Sequence, residues 1–187
     1  RHLKSETKFK IGLNWYLTRP EEVDLKKTKD GEKRFHLTGR NSDQWADWDE
    51  KLFDNLKTFK EPSERRLSRF HGFNILDKTS YFEDHVPITE LERLEWHKKA
   101  INELKACDFV FLDPDNGLKV PSAKGKRVAK YVKDIEIKEY LENKQAIITI
   151  QFARQCEPIK KAEWARSELN SAISQSSRLP IMRCRVT

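Results

Sequence analysis

The sequence predicts an α/β fold: a three-layer, Rossmann-like domain with a mainly parallel sheet and helices on both faces. Short apolar runs at residues 108–113 and 146–150 are typical of strands that are buried on both faces. Segments with apolar residues at helical spacing alternate with the predicted strands, as they do in parallel sheets. Because 187 residues suit one domain of this kind, we expect a single domain over residues 1–187.

In the first half of the chain, aromatic and branched residues predict strands, and helical spacing predicts helices. The predicted strands cover residues 9–17, 34–38 and part of 74–82. The first of them ends before Arg19-Pro20, because the residue that precedes a proline is restricted and the proline ring fixes the backbone. A helix is predicted over residues 49–59, and a second one, capped by Ser63, carries Leu67 and Phe70.

In the second half, Thr89 and Glu92 form a capping-box pattern, which predicts a helix from Thr89 to about residue 106. Its predicted buried stripe is Leu91, Leu94, Ile101 and Leu104. Further predicted elements are a helix over residues 134–142, a helix that begins at Pro158 and a last strand over residues 180–186.

The composition predicts a cytoplasmic protein with a polyanionic partner. The formal net charge is +7 and the isoelectric point is about 9.2, which fits nucleic acid or a phosphate-bearing substrate. No apolar run is long enough to span a membrane, and the polar residues 1–10 do not resemble a secretory signal, so we expect no membrane association. The three cysteines show no disulfide or zinc spacing, and the sequence leaves the oligomeric state open.

The run Asp113-Pro114-Asp115-Asn116-Gly117 follows a predicted buried strand. Pro114 ends the strand because it has no N–H to donate, and Asn-Gly is a turn pair. The two carboxylates therefore stand at the carboxyl end of a strand, where open α/β sheets bind ligands. Asp113 and Asp115 are predicted to share a hard cation, Mg²⁺ or Mn²⁺, as metal ligands and catalytic residues. Alternatively, Asp113 and Asp115 have a structural role only, as ordinary turn residues.

Cationic and polar residues after this turn are predicted to bind the phosphate of a substrate. They are Lys124, Lys126, Arg127, Lys130, Gln151 and Arg154. Arg154 and Gln151 follow the strand at residues 146–150, so Arg154 is a candidate clamp for the transition state. His71, beside Gly72, is a candidate general base.

The acidic turn resembles motifs of three enzyme families. It is similar to the metal-binding motif of Toprim nucleases and topoisomerases, although the strand predicted over residues 9–17 lacks the glutamate which that site requires. It resembles the fourth motif of Rossmann-type methyltransferases, although no G-x-G loop is present. With Glu136 and Lys138, it also matches the pattern of PD-(D/E)xK nucleases. That likeness implies that Glu136 binds metal and Lys138 activates water.

The chain is also similar to a bacterial family for which no activity is established. The likeness is carried by residues 12–16, by Arg93 and Trp96, by residues 111–118 and by residues 130–132 with 136–137. It supports a functional site at the acidic turn and implies nothing about the reaction.

Three functions are compatible with these patterns. The leading hypothesis is a metal-dependent phosphoester hydrolase, nuclease-like, that acts on nucleic acid or a nucleotide. The alternatives are a Rossmann-type protein that resembles S-adenosylmethionine-dependent methyltransferases and a nucleic-acid-binding module without catalysis.

Overall fold

A sheet of four parallel strands organises the part of the chain that the computed structural model describes, which is residues 6–23, 35–40, 42–59, 66–76, 78–153 and 156–173. The strands are β1 (Ile11–Asn14), β2 (Ser80–Phe82), β3 (Phe109–Leu112) and β4 (Ala146–Thr149). Their order is β2–β1–β3–β4, and each neighbouring pair is parallel. The predicted α/β class with a parallel sheet is therefore confirmed.

The carboxyl ends of the four strands lie side by side. Asn14 at the end of β1 pairs with Phe82 of β2 and Leu112 of β3, and Leu112 pairs with Thr149 of β4. The segments that follow the strands therefore leave the sheet along one edge. The chain passes from β1 to β2 on one side and then to β3 on the other side, so the strand order reverses at β1. Open parallel sheets bind ligands at such a switch point.

The chain divides into two compact units, which we name by their content. The helical unit comprises Arg1–Glu6 and Lys26–Lys78, and the sheet unit comprises Thr7–Leu25 and Thr79–Thr187. The single domain expected over residues 1–187 stays a prediction, because packing alone does not show whether either unit folds by itself.

The connections of the sheet unit contain helices, two of which begin at the predicted signals, Thr89 and Pro158. These helices are α1 (Pro20–Val23), α6 (Glu90–Leu104), a 3₁₀ helix (Gly125–Lys130), α7 (Asp134–Glu142) and α8 (Pro158–Ala172). The side chain of Thr89 accepts the backbone N–H of Glu92, which begins α6 as predicted. Glu157 accepts the backbone N–H groups of Ile159 and Lys160 at the start of α8.

The helical unit contains α2 (Phe35–Thr38), α3 (Asp43–Ala46), α4 (Glu50–Lys57) and α5 (Leu67–Gly72). The helix predicted over residues 49–59 is confirmed, and Asp49 caps it by accepting the N–H of Leu52 at 3.0 Å. The strand predicted over residues 34–38 is wrong, because Phe35–Thr38 is a helical turn. A helical turn pairs its backbone within itself, whereas a strand needs a neighbour, and no strand lies in the described part of this unit.

Helix α6 buries a different face from the predicted one. Leu104 is fully buried as expected, but Leu91 and Leu94 are 75% and 54% exposed. The buried face instead carries Arg93, Trp96, His97, Ala100 and Leu104. Apolar spacing predicted the wrong stripe because two of the residues that face inward are polar. Arg93 has the buried partner Glu136, whereas Nε2 of His97 lies 3.1 Å from Oε2 of the more exposed Glu139.

Strand β4 is less buried than its apolar sequence predicts. Ala146 is exposed, and Ile147, Ile148 and Thr149 are half-buried. This fits its position as the last strand of the described sheet. The strand predicted over residues 180–186 lies outside the described residues.

A buried ion pair joins α6 to α7. Arg93 donates its Nε–H to Glu136 Oε1 at 2.6 Å and an Nη2–H to Glu136 Oε2 at 2.9 Å. Both side chains are only 4% exposed. Two parallel hydrogen bonds between a guanidinium and a carboxylate are the geometry in which such a pair is strongest.

The remaining hydrogen-bonding groups of this pair hold three other segments. Glu136 Oε2 also accepts the hydroxyl of Tyr16, which follows β1, at 3.2 Å and the backbone N–H of Lys133 at 2.9 Å. Arg93 also donates to the carbonyl oxygens of Val128, in the 3₁₀ helix, and Tyr131, just after it, at 2.9 and 2.6 Å. Each charge is thus compensated and hydrogen-bonded, as burial requires.

No helix among the described residues is long and apolar enough to cross a membrane.

Replacing Arg93 by methionine is expected to lower the free energy of unfolding by about 3–5 kcal/mol, because the Glu136 carboxylate stays buried without its counter-charge. Urea titration followed by circular dichroism measures this change. The control is Lys98→Met, which removes an exposed cation paired with Glu95 and should leave the unfolding midpoint unchanged. Equal midpoints for R93M and the unmodified protein would contradict a stabilising role for the pair.

Candidate functional site

The acidic turn, residues 113–118, continues directly from β3 at the carboxyl edge of the sheet. The backbone N–H of Asp113 still donates to the carbonyl of Asn14 in β1 at 3.0 Å. Pro114 is fully buried and ends this ladder, as predicted. Gly117 has a φ of +83°, a conformation that favours glycine. The turn therefore lies at the β1/β3 switch point.

Gln151, which follows β4, holds the acidic turn in place. Its Oε1 accepts the backbone N–H of Leu118 at 2.8 Å, and its Nε2 donates to the carbonyls of Asn116 at 3.5 Å and Phe152 at 3.1 Å. A Cβ on Gly117 would lie 2.7 Å from Gln151 Oε1, so the two residues are in direct contact. The substrate-binding role predicted for Gln151 stays a prediction, and its amide is engaged in fixing the turn.

The basic segment, which we define as residues 119–133, contains the 3₁₀ helix and forms backbone hydrogen bonds with the turn. The backbone N–H of Asn116 donates to the carbonyl of Lys130 at 3.0 Å, and the N–H of Val132 donates to the carbonyl of Gly117 at 3.0 Å. The backbone N–H of Lys119 also donates to the carbonyl of Val132 at 2.8 Å. These bonds hold Lys130, the last residue of the 3₁₀ helix, beside the acidic turn.

The carboxylate of Asp113 is half-buried, and no hydrogen bond or ion pair joins it to a described residue. Burial raises the pKa of Asp113, and the negative charge of Asp115 raises it further. An uncompensated carboxylate in this position costs stability, and such groups are concentrated at functional sites.

Asp115 is more exposed and has two partners. Its side chain is 51% exposed; Oδ2 accepts the hydroxyl of Thr18 at 3.2 Å and lies 3.7 Å from Nζ of Lys130. Thr18 belongs to the segment after β1, so groups from both strands of the switch point meet here. Lys130 therefore lies beside the acidic turn, and its role in binding phosphate stays a prediction.

The other predicted phosphate-binding residues differ in where they lie. Lys124, Lys126 and Arg127 are exposed at the start of the 3₁₀ helix, and their roles stay predictions. Arg154 lies outside the described residues. His71 lies in α5 of the helical unit, and its role as a general base also stays a prediction.

The structure does not support Glu136 and Lys138 as a catalytic pair. Glu136 is buried in the ion pair with Arg93, where its oxygens are fully used. Lys138 lies near the exposed Glu142 on the same helix, with Nζ 3.8 Å from Oε1. Residues two apart on a helix point in different directions, so E-x-K cannot converge here as it does on a strand. This interpretation of the motif is wrong.

Sequence reasoning missed Thr18 and the roles of Asn14 and Tyr16. Asn14 is buried; its Nδ2 donates to the hydroxyl of Tyr140 at 3.2 Å, and its Oδ1 accepts the backbone N–H of Tyr16 at 3.2 Å. Tyr16 is buried with a φ of +47°. Open α/β sheets bind ligands at the carboxyl ends of their strands, which is how the sequence located Asp113. The same rule also locates Thr18, because the two residues follow neighbouring strands. Nothing in the local sequence indicates the unusual backbone of Tyr16.

Asp113 and Asp115 are the residues that could hold a metal ion. No group of three or more histidine, cysteine, aspartate and glutamate side chains with metal-binding geometry occurs in the described part of the chain. Two carboxylates fit Mg²⁺ or Mn²⁺, since these hard cations prefer oxygen and Mg²⁺ keeps several water ligands. The unpartnered oxygens of Asp113 suit this use.

A cavity of about 470 Å³ opens at the ends of β1 and β2, next to the segment that contains Thr18. Its lining includes acidic and basic side chains and an aromatic ring. The lining residues are Arg19, Glu83, Asp84, His85, Pro87, Glu95, Trp96 and Lys99. Part of this charge is internally compensated, because Lys99 pairs with Asp84 at 2.5 Å. The described part of the sheet unit therefore has an open depression on the β2 side of its carboxyl edge.

Comparison with known proteins gives no relative for this site: no protein-family model, no curated protein and no solved structure matches the chain.

Replacing Gly117 by alanine is expected to destabilise the sheet unit by about 1–3 kcal/mol, because the new Cβ meets the Gln151 amide in an unfavourable backbone conformation. Gly125→Ala is the matched control, since Gly125 also has a positive φ but no atom within 4 Å of a Cβ. Thermal unfolding of G117A, G125A and the double variant G117A/Q151A separates the two causes. The contact with Gln151 is refuted if G117A and G125A lose the same stability.

Replacing Asp113 by asparagine is expected to raise the melting temperature at pH 7 and to leave it unchanged near pH 3. The raised pKa means that the folded protein holds this proton more tightly than the unfolded chain does. The stability conferred by the protonated form is complete below the ordinary pKa of 3.8 and is lost as pH rises through the raised value. Asparagine cannot ionise, so it avoids that loss.

Melting temperatures across this pH range measure the effect, and Asp54→Asn at an exposed position is the control. A lower melting temperature for D113N than for the unmodified protein at pH 7 would show that the carboxylate stabilises the fold.

Proposed function

We propose that the chain is a metal-dependent phosphoester hydrolase, acting on nucleic acid or a nucleotide, with its catalytic centre at the acidic turn. One observation carries this proposal: a half-buried Asp113 carboxylate without a partner among the described residues lies next to Asp115 at the β1/β3 switch point. Like charges held together in this way are stabilised by a cation between them.

Asp113 and Asp115 would hold Mg²⁺ or Mn²⁺ in this proposal. When bound, such an ion polarises a phosphoryl oxygen and lowers the pKa of a water molecule. Lys130, 3.7 Å from Asp115, is placed to attract a phosphate group to the acidic turn. The hydroxyl of Thr18 orients the Asp115 carboxylate by donating to it.

We also propose the three-layer, Rossmann-like arrangement with helices on both faces of the sheet. On one face of β3, Val110 and Leu112 are fully buried, and on the other face Phe109 and Phe111 are half-buried. Helix α6 contacts β1 and β2, and α7 contacts β4. A sheet covered in this way would leave its carboxyl edge as the accessible side.

The methyltransferase-like alternative is supported less well. In that family a glycine loop after the first strand lets the cofactor approach the backbone. Here Trp15 and Tyr16 follow β1, and the ring of Tyr16 is buried against Trp96. Calorimetry with S-adenosylmethionine tests this alternative, and we expect no heat of binding.

The hydrolase proposal predicts that Mn²⁺ raises the melting temperature of the unmodified protein but not of D113N or D115N, since a ligand stabilises the form that binds it. Cleavage of labelled single-stranded DNA and RNA with Mn²⁺ should fall in both variants by more than the roughly 10- to 100-fold that outer-shell changes cost at metal sites. The control D54N should keep both responses. Undiminished cleavage by D113N/D115N would refute the catalytic assignment.

A non-catalytic nucleic-acid-binding module is the second candidate, favoured by the exposed cations Lys124, Lys126 and Arg127. It predicts binding of nucleic acid that weakens steeply with salt and does not depend on Mn²⁺ or on the two aspartates. The same variants therefore distinguish the two functions, because the hydrolase requires both carboxylates.

A further inference from the structure

Three cations of the basic segment are spaced three residues apart. They are Lys124, at the N-cap position just before the 3₁₀ helix, and Arg127 and Lys130 within it. A 3₁₀ helix has three residues per turn and rises about 2 Å per residue, so residues three apart share one side, about 6 Å from each other. The three cations therefore form a row along this element, which we name the cation row.

The cation row ends at the acidic turn. Lys130 is its last member, and its Nζ lies 3.7 Å from Asp115 Oδ2. Lys124 and Arg127 are exposed, and neither has a hydrogen bond or ion pair with a described residue. Their charges are thus available to a polyanion, whereas the exposed Lys98 and Lys99 of α6 have acidic partners.

The backbone beneath the cation row is held rigidly. Arg93 binds the carbonyls of Val128 and Tyr131, and the carbonyl of Lys130 accepts the N–H of Asn116. Ala129 is buried in the core. Because the backbone is already ordered, binding a ligand along the row costs less entropy than ordering a loose loop would.

From this arrangement we infer that the cation row binds consecutive phosphates of a single nucleic-acid strand and directs the strand to the acidic turn. The step of about 6 Å along a 3₁₀ helix resembles the separation of neighbouring phosphates in an extended strand. A mononucleotide would reach one cation only, so the preferred ligand is a polymer. The cleavage of that strand rests on the proposed function, whereas its binding does not.

The test is fluorescence anisotropy of the full chain with a labelled twelve-nucleotide oligothymidylate, in EDTA and at several salt concentrations. The oligonucleotide should bind, and unlabelled thymidine monophosphate should compete only weakly. Arg127→Ala should lower the slope of log affinity against log salt by about 0.7, which corresponds to roughly fivefold weaker binding at 0.1 M salt. Arg166→Ala removes an exposed arginine from α8 and is the matched control, expected to leave binding unchanged.

A second comparison tests whether the position of a cation in the row, and not only its charge, determines how strongly it contributes to binding. Lys126 lies one residue before Arg127 and outside the row, so K126A should weaken binding less than R127A does. Equal losses in K126A and R127A, a loss as large in R166A, or equal affinity for mononucleotide and oligonucleotide would each overturn the inference. Tighter binding of polyglutamate than of the oligonucleotide would also overturn it, in favour of an acidic protein partner.

The two proposals fail separately. Binding is measured without metal, so D113N/D115N should still bind the oligonucleotide even though it cannot cleave. Loss of binding in R127A together with undiminished cleavage by D113N/D115N would retain the strand-binding row and refute the catalytic assignment of the two aspartates.

Discussion

The buried ion pair between Arg93 and Glu136 is the constraint on which the rest of the sheet unit depends. It connects α6 with α7, and its remaining donors and acceptors fix the 3₁₀ helix and the segment after β1. An apolar core can repack in several ways, but two charges buried side by side have few other arrangements that satisfy every hydrogen bond. The pair therefore specifies how the segments above the carboxyl edge are arranged.

The carboxylates of the sheet unit differ in how far their negative charge is compensated by cations and hydrogen-bond donors. Both carboxylate oxygens of Glu136, in α7, accept hydrogen bonds and its charge is neutralised by Arg93, whereas the carboxylate of Asp113, which follows β3, has no hydrogen bond or ion pair with a described residue. Asp115 lies between these extremes, with Thr18 and Lys130 beside it. In the proposed function, the unsatisfied Asp113 would serve metal binding at a cost in stability.

The sequence correctly predicted those elements whose signals lie in residues close together along the chain. The apolar run before Asp113 and the proline after it predicted β3 and its end, and Thr89 and Pro158 predicted the starts of α6 and α8. The position of the two carboxylates after a buried strand located the acidic turn. Sequence reasoning failed at Glu136, at the buried face of α6 and at the helical turn Phe35–Thr38. Glu136 and the buried face of α6 depend on partners far along the chain, such as Arg93 for Glu136, which no local pattern indicates. The strand predicted over residues 34–38 would have needed a neighbouring strand, which a local pattern does not indicate either. The role of Gln151 was hidden for the same reason, since it bonds to Leu118 across 33 residues.

The contact between Gly117 and Gln151 has a consequence for how this protein can change over evolutionary time. The glutamine fills the space that a side chain at position 117 would need, and its amide supplies the hydrogen bond that closes the turn. A larger residue at position 117 is compatible with the turn only if position 151 shrinks, and a smaller residue at 151 leaves a backbone N–H to be satisfied in another way. Descendants of this sequence should therefore keep both residues or replace both together, so that co-variation at these two positions marks chains that retain the acidic turn.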